Sequence, residues 1–411
     1  MSGALPARLI ALVFLPFAAG FFLSILFRNV NAVISKDIAG EFSLSSSELG
    51  LLTSTYFIAF AALQVPLGIF LDRYGPRRVT SALLLVAASG ALAFASAGGL
   101  GGLTLGRALI GAGVSACLMG SMKAFTLWFP LERMATLNGW ILAIGALGAV
   151  AATVPVEMAT SAFGWRTMFT GIALLSLAVA VCIFLVVPEK PVPGSRELWG
   201  EQLARIAEIF ASPAFWRIGL SLVLLQGSYQ ALFGLWLVPW LMDTQGLARG
   251  EAARWLMYTA LTYAVASIAF GQGADRMAAR GLSRLRVLQW GTGFGVAGFG
   301  LLVFAPGPWK LAVLLAYTFG AVAPMLAYSI LSRHFPLSVS GRLNTALNVA
   351  TFVYAFAAQV GTGMLLRVFP AQDGRYPPES YALALTVLLV VQFAGWALVA
   401  AVNREPESHT G

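Results

Sequence analysis

The chain is built almost entirely of apolar runs long enough to cross a lipid bilayer. A spanning helix needs about 20 largely apolar residues, and the 411-residue sequence supplies twelve such runs. With 59% hydrophobic and only 10% charged residues, it cannot cover the surface of a soluble protein of this size. We therefore predict an all-α membrane protein with twelve transmembrane helices. They cover residues 9–34, 49–71, 79–97, 103–127, 137–162, 167–187, 217–241, 253–273, 284–305, 309–331, 343–366 and 380–402.

The positions of the basic residues predict the orientation of these helices. The 26 bases exceed the 17 acids, which gives a net charge of +9. With the N-terminus in the cytoplasm, 16 bases fall on the cytoplasmic side, 7 on the opposite side and 3 inside the spans. Lys and Arg are enriched in cytoplasmic loops, so we expect a bacterial inner-membrane protein with both termini in the cytoplasm. The bases are scattered singly, which argues against a nucleic-acid partner.

The remaining side chains give no sign of enzymatic or metal chemistry. Cys117 and Cys182 both lie in apolar runs, and the sequence has two histidines, His334 and His409. We find no nucleophile with a base and no phosphate-binding loop. The expectation is a protein that is not an enzyme and that has no catalytic residues, metal or cofactor.

The chain contains two similar halves. The sequence GIFLDR at residues 68–73 follows the second span, and GQGADR at residues 271–276 follows the eighth. Parallel repeats of six helices predict a substrate site near the bilayer midplane. We expect an N-terminal half over residues 1–190 and a C-terminal half over residues 217–411. The linker at residues 191–216 has apolar residues at helical spacing, which predicts an amphipathic helix on the cytoplasmic face.

These features resemble the major facilitator superfamily of secondary transporters. GIFLDRYGPRR at residues 68–78 is similar to the signature that follows the second helix of that superfamily. Arg107 with Gly111 and Gly113 resembles the fourth-helix signature, and Pro188 with Glu189 resembles the one that closes the sixth helix. The resemblance covers the whole chain and implies transport by alternating access.

The resemblance also implies a gate at the cytoplasmic ends of the helices. Asp72 is expected to meet the N-terminus of the eleventh helix, where a carboxylate is favoured by the helix dipole, and Asp275 to do the same at the fifth. The alternative for the bases is that they only anchor the chain at the membrane surface. The predicted gating residues are Gly68, Asp72, Arg73, Arg77, Arg78, Asp275 and Arg276.

Three bases, but no acids, lie well inside the predicted spans. A charge there is rare and usually faces a cavity, which makes Arg28, Arg107 and Lys123 candidates. The sequence around Arg28 is similar to the organic anion:cation symporter branch, in which the arginine of an Asp-Arg motif binds the anionic group of the substrate. Phe27 replaces that Asp here. The alternative for Arg28 is that it snorkels to the interface.

The other two bases also have alternative interpretations. Arg107 lies only a few residues inside the fourth span, so it could snorkel outward, bond neighbouring helices or assist coupling. Lys123 lies close to the cytoplasmic end of the same span, which favours an interface anchor.

Uncharged polar residues supply the candidates in the C-terminal half. Gln226, Tyr229 and Gln230 share one face of the seventh helix, and Tyr317 lies on the tenth; both helices line the cavity in the superfamily. The alternative is ordinary hydrogen bonding between helices. The full set of predicted substrate-binding residues is Arg28, Asn31, Arg107, Gln226, Tyr229, Gln230 and Tyr317.

A cavity with bases and no acids favours anions over cations. We therefore predict a monomeric secondary transporter that takes up a small organic anion, a carboxylate. A symporter with a proton or another ion as the co-transported partner is one form of coupling; a uniporter and an anion exchanger are the alternatives, since no intramembrane carboxylate is evident. The alternative is a transporter of a neutral or zwitterionic solute, such as an amino acid or a siderophore. A non-transporting membrane receptor is a third interpretation, which the motifs in both halves disfavour.

Overall fold

The computed structural model describes residues 7–190, 199–304, 307–335, 340–372 and 374–403. Within these ranges the chain is nearly all helical, with no strand beyond an isolated bridge of Gln372 with Arg375. This confirms the predicted all-α class. The helices are α1 Ala7–Asn29, α2 Asn31–Phe42, α3 Ser46–Ala95, α4 Leu100–Trp128, α5 Met134–Ala151, α6 Val154–Phe163, α7 Trp165–Val186, α8 Trp199–Ala211, α9 Pro213–Gln245, α10 Arg249–Ala279, α11 Arg284–Phe304, α12 Lys310–His334, α13 Ser340–Leu366 and α14 Pro378–Ala400.

The twelve predicted spans all fall on helices, but they are not twelve separate apolar helices. Among the described residues, nine helices are long and apolar enough to cross a membrane, and the bent pair α5 and α6 makes a tenth. Two predicted spans lie in the 50-residue α3. The predicted eighth span lies in α10, a helix of 31 residues that is not among the nine.

Gly75 separates the two spans inside α3. Its backbone has φ 80° and ψ 156°, a conformation that is essentially restricted to glycine. Pro76 follows, and a proline cannot donate the hydrogen bond that a continuous helix would need at that position. The chain therefore turns at Gly75.

The chain forms two compact units. The first unit is Met1–Leu44 with Thr55–Trp199, and the second unit is Ser45–Ser54 with Gly200–Gly411. The first turns of α3 pack within the second unit, where the Ser46 hydroxyl donates to the Gly363 carbonyl at 2.7 Å. A Cβ atom on Gly50 would lie 2.9 Å from the Gln359 carbonyl, so a small residue is needed at this approach.

Close backbone contact also joins α3 and α4 within the first unit. A Cβ atom on Gly90 would lie 2.7 Å from the backbone nitrogen of Ile110, and one on Gly111 would collide with the Tyr56 carbonyl. Small residues at helix interfaces allow such close packing in membranes. The glycines of the fourth-helix motif are therefore packing residues.

The helix α8, Trp199–Ala211, lies within residues 191–216, the linker that predicts an amphipathic helix. Ile206 and Ile209 are buried, and Ile209 packs in the apolar core of the second unit with Phe215 and Leu285. Glu208 on the opposite face is exposed. Of the apolar positions that predicted this helix, Leu198 lies outside the described residues.

Candidate functional site

Arg28 lies in the interior of a long helical segment of the first unit. It is the penultimate residue of α1, and α2 continues to Phe42, which at 1.5 Å per residue is about 21 Å further along. The guanidinium carbon lies 5.3 Å from the centre of the Phe60 ring, and Phe60 is itself buried. A guanidinium stacked on an aromatic face is attracted by the ring, and its donors lie in the plane of the group.

Asn31 and Arg107 are also in the interior of the first unit, and both are 1% exposed. The Nη1 atom of Arg107 donates to the Phe27 carbonyl at 2.9 Å, and its guanidinium lies 4.9 Å from the centre of the Tyr56 ring. Arg107 therefore bonds the neighbouring helix, and the outward snorkelling considered from the sequence does not occur. Its Nε atom is buried and has no hydrogen-bond partner among the described residues.

Asp72 has a partner that the sequence did not predict. The Nζ atom of Lys123 lies 2.7 Å from its Oδ1 atom, and both side chains are about one-third exposed. Asp72 lies just before the turn at Gly75, and Lys123 lies near the end of α4. The pair thus joins the predicted gating motif to the fourth helix. The position of Lys123 in the sequence favours an interface anchor, and it does not indicate this ion pair.

The basic residues after Asp72 lie beside the end of α7. Arg77 donates from Nε to the Phe184 carbonyl at 2.7 Å, and its Nη1 atom is 3.7 Å from Glu189. Arg78 forms an ion pair with Glu189. Arg73 stacks on the neighbouring Tyr74 ring at 5.4 Å. Of the predicted gating residues, the structure thus brings these three arginines to one place in the first unit.

The predicted gating residues of the second unit are held locally. Asp275 accepts a hydrogen bond from Nη2 of Arg284 at 2.8 Å. Arg276 donates to the Gln272 side chain at 3.3 Å. Gly68 lies within α3 of the first unit.

Three of the predicted polar residues of the second unit, Gln226, Tyr229 and Tyr317, meet around a cluster of aromatic rings. Gln226 donates from Nε2 to the Tyr263 hydroxyl at 3.0 Å. Tyr229 stacks on Phe233 at 4.0 Å between ring centres and lies 6.3 Å from the ring of Tyr317. The π-helical turn Leu232–Trp236 follows directly. Such turns are frequent at functional sites.

Several buried amide groups of the second unit are unsatisfied. Among the described residues, the side-chain oxygens of Gln226 and Gln230 accept no hydrogen bond. The side-chain nitrogen of Gln392 donates none. An unpaired buried polar group costs about 1–3 kcal/mol. These groups therefore favour a ligand or water with complementary hydrogen-bonding atoms.

Glu41 is a charged residue whose role was missed at the sequence level. Its carboxylate accepts hydrogen bonds from Nη2 of Arg166 at 2.6 Å and from the Trp165 indole at 2.8 Å. The hydrogen bond from Arg166 is the main reason why the pKa of Glu41 lies below its ordinary value of 4.5. Arg166 also donates to the carbonyl of Ala95 at 2.7 Å, so this cluster joins the ends of α2, α3 and α7.

Comparison with known proteins places the chain among transporters. The model of the Major Facilitator Superfamily matches residues 17–361. The fold is similar to the crystal structure of a bacterial homolog of the human lysosomal transporter Spinster, with a TM-score of 0.81 and 18% identity, and the alignment covers 97% of each chain. At that identity the likeness shows the fold alone.

Three curated relatives transport anions, according to their names. The chain is 26% identical over 176 residues to the probable sulfoacetate transporter SauU of Cupriavidus necator, and 29% identical over 175 residues to the hexuronate transporter of Bacillus subtilis. Each alignment covers 43% of this chain and 41% of the relative, so the chain matches about two-fifths of the length of these two proteins. It is 23% identical over 399 residues to the nitrite extrusion protein of Bacillus subtilis, covering 94% of this chain and 91% of that one.

Proposed function

Because the chain belongs to the major facilitator superfamily, we propose that it is a secondary transporter that takes up a small organic anion bound through Arg28. The observation that carries the proposal is the Arg28 guanidinium, which stacks on the buried Phe60 ring far from either end of the α1 and α2 segment. A charge at such depth is usually functional. The sulfoacetate and hexuronate relatives support an organic anion as the substrate.

The chemistry of Arg28 favours a carboxylate or sulfonate. A guanidinium presents its donors in a planar fork that matches a carboxylate with two parallel hydrogen bonds. The Phe60 ring occupies one face of this group, so the edge is the part that binds the substrate. The nearby Arg107 adds a second positive charge, and like charges in such a site repel cations.

The proposal includes the location and orientation of the protein. We place the protein in a bacterial inner membrane with both termini in the cytoplasm. In this orientation the predicted spans leave 16 bases on the cytoplasmic side and 7 on the opposite side, as the preference of Lys and Arg for cytoplasmic loops requires. A proton or another ion is the proposed co-transported species. We propose that the protein acts as a monomer.

A second candidate function is transport of a neutral or zwitterionic solute. It is favoured by the unsatisfied amide oxygens of Gln226 and Gln230 in the second unit. Of these two residues, Gln226 bonds the Tyr263 hydroxyl, and the Tyr263 ring packs against Tyr229. These oxygens need hydroxyl or amine donors, which amino acids and siderophores supply. In that case Arg28 would contribute little to affinity.

Thermal unfolding of the purified protein with a panel of solutes separates these candidates. The panel contains hexuronates, sulfoacetate, nitrate, nitrite, amino acids and organic cations. A ligand at 100 times its Kd stabilises the native state by about 2.7 kcal/mol. We expect hexuronate or sulfoacetate to stabilise the wild type but not Arg28→Ala, and to stabilise the control Arg254→Ala, which removes an exposed arginine. Stabilisation by nitrate and nitrite alone would identify an inorganic anion as the substrate. Stabilisation of Arg28→Ala and the wild type to the same extent by a neutral solute would favour the second candidate.

A further inference from the structure

A cavity of about 420 Å³ opens in the first unit beside the turn at Gly75 and the ends of α4 and α7. None of the predicted substrate-binding residues lines it. Among the described residues, its charged wall consists of four cationic side chains and one carboxylate, from Arg73, Arg77, Arg78, Lys190 and Glu189, and the rings of Tyr74 and Trp128 also line it. Four cations and one carboxylate give these wall residues a net charge of about +3, which favours an anion in the cavity.

Two of these cations are held in place by backbone carbonyl groups. Arg77 donates to the Phe184 carbonyl in the last turn of α7, at 2.7 Å. Lys190 donates to the Leu127 carbonyl in the last turn of α4, at 2.6 Å, and its ammonium lies 4.9 Å from the Trp128 ring. Helix C-termini stabilise cations in this way. The carbonyls orient the two side chains but leave their charge in the cavity.

The single carboxylate balances only part of this charge. Glu189 forms its short ion pair with Arg78 and is 3.7 Å from Arg77. Among the described residues, no carboxylate forms an ion pair with Arg73 or Lys190. The nearby Asp72 is already paired with Lys123.

We propose that this cavity binds a phosphate ester group, with Arg73, Arg77 and Lys190 as its ligands. A phosphate carries one or two negative charges and accepts several hydrogen bonds, so it matches a cavity lined by four cations and one carboxylate among the described residues. The Trp128 ring supplies an apolar wall next to the polar one, which suits a group joined to a glycerol or an acyl chain. Basic pockets between helices bind the headgroups of anionic lipids in this manner. The ester is the phosphate of an anionic phospholipid or of a soluble metabolite.

Binding measurements on the full-length protein in neutral detergent test this proposal. The probes are dioctanoyl phosphatidylglycerol, dioctanoyl phosphatidylcholine, glycerol 3-phosphate and inorganic phosphate, titrated against intrinsic tryptophan fluorescence and by calorimetry. The test variant is the double substitution Arg73→Gln with Lys190→Gln. Arg133→Gln with Arg286→Gln is the matched control, because it removes two positive charges outside the cavity. Each lost cation is expected to weaken binding about fivefold, or roughly 25-fold for the double variant.

The variant Glu189→Gln keeps the result separate from a folding defect. It removes the carboxylate that the described residues contribute to the cavity wall, so we expect binding to become about fivefold tighter, which a damaged fold would not produce. Binding of phosphatidylglycerol but not of glycerol 3-phosphate or inorganic phosphate would identify a lipid ligand. Binding of glycerol 3-phosphate but not of phosphatidylglycerol would identify a soluble ester. Both results support the site. Absence of binding by every phosphate probe, equal binding of phosphatidylcholine and phosphatidylglycerol, or an equal loss in the control variant would overturn the proposal.

Discussion

The ammonium group of Lys123 lies 2.7 Å from a carboxylate oxygen of Asp72. Asp72 belongs to the predicted gating motif, and Lys123 is one of the three bases that the sequence places inside a span. The two charges neutralise each other within the first unit. The pair therefore stabilises the position of α4 beside the turn at Gly75, whatever else Asp72 does during transport.

The Asp72 and Lys123 pair should show a measurable coupling. Since both side chains are about one-third exposed, we expect a coupling free energy of about 0.5–1 kcal/mol from a double-mutant cycle. The variants are Asp72→Asn, Lys123→Met and the double substitution, compared by denaturant unfolding in detergent. Additive effects of the two single substitutions would mean that the ion pair does not stabilise the protein.

Adding one methyl group at Gly111 should destabilise the protein. A Cβ atom there would collide with the Tyr56 carbonyl, and such overpacking costs about 1–3 kcal/mol. Gly171→Ala is the matched control, because a Cβ atom at that helical position meets nothing within 4 Å. Thermal unfolding should show a lower Tm for Gly111→Ala and little change for the control. Equal Tm values would contradict the close packing of α3 against α4.

The cluster around Glu41 predicts a loss of stability in acid. Because Arg166 holds the pKa of Glu41 below 4.5, the ionised carboxylate stabilises the folded protein above that pH. This contribution disappears as the pH falls through the lowered pKa. We expect the ion pair of Glu41 with Arg166 to contribute less than about 1 kcal/mol to the free energy of unfolding, since both side chains are about 40% exposed. Between pH 6 and pH 3, the free energy of unfolding should fall less steeply for Glu41→Gln than for the wild type. The same pH dependence in both proteins would exclude the contribution of Glu41.

Arg107 should matter more for transport than for stability. Its side chain is 1% exposed and its Nε atom has no partner among the described residues, so burying the charge is costly. Replacing a buried charge by an apolar side chain of similar size is often neutral or stabilising. We expect the free energy of unfolding of Arg107→Met to lie within about 1 kcal/mol of the wild-type value or above it. We expect the same variant to lose transport. Normal uptake by this variant would show that Arg107 has no functional role.

The sequence predicted the helices better than it predicted their contacts. Apolar length alone placed all twelve predicted spans on helices, and the break predicted between residues 71 and 79 contains Gly75, where the chain turns. The eighth span differs from this pattern, because polar residues inside it, among them Tyr263 and Gln272, make α10 less apolar than a typical spanning helix. Hydrophobic periodicity and hydropathy are properties of a local stretch of sequence, so they predict the positions of helices directly.

The side-chain partners depend on packing that no local pattern encodes. Asp72 and Lys123 are 51 residues apart, and nothing near either residue indicates the other. Arg107 was placed near a helix end by its position in the span, although the structure buries it against Tyr56 and Phe27. The shared face of Gln226 and Tyr229 could be read from their spacing, but the Tyr263 hydroxyl that Gln226 binds could not.

Uptake by proteoliposomes tests the role of Arg28 most directly. The protein is reconstituted as wild type, Arg28→Lys, Arg28→Gln and the control Arg254→Gln, and uptake of radiolabelled hexuronate or sulfoacetate is measured at several concentrations. Loss of a charged hydrogen-bonding group costs about 1.5–3 kcal/mol, so we predict that Arg28→Gln transports with roughly 10- to 100-fold lower kcat/KM. Arg28→Lys should be intermediate, because it keeps the charge but loses the planar fork. Uptake by Arg28→Gln at the rate of the wild type would contradict an anion site at Arg28.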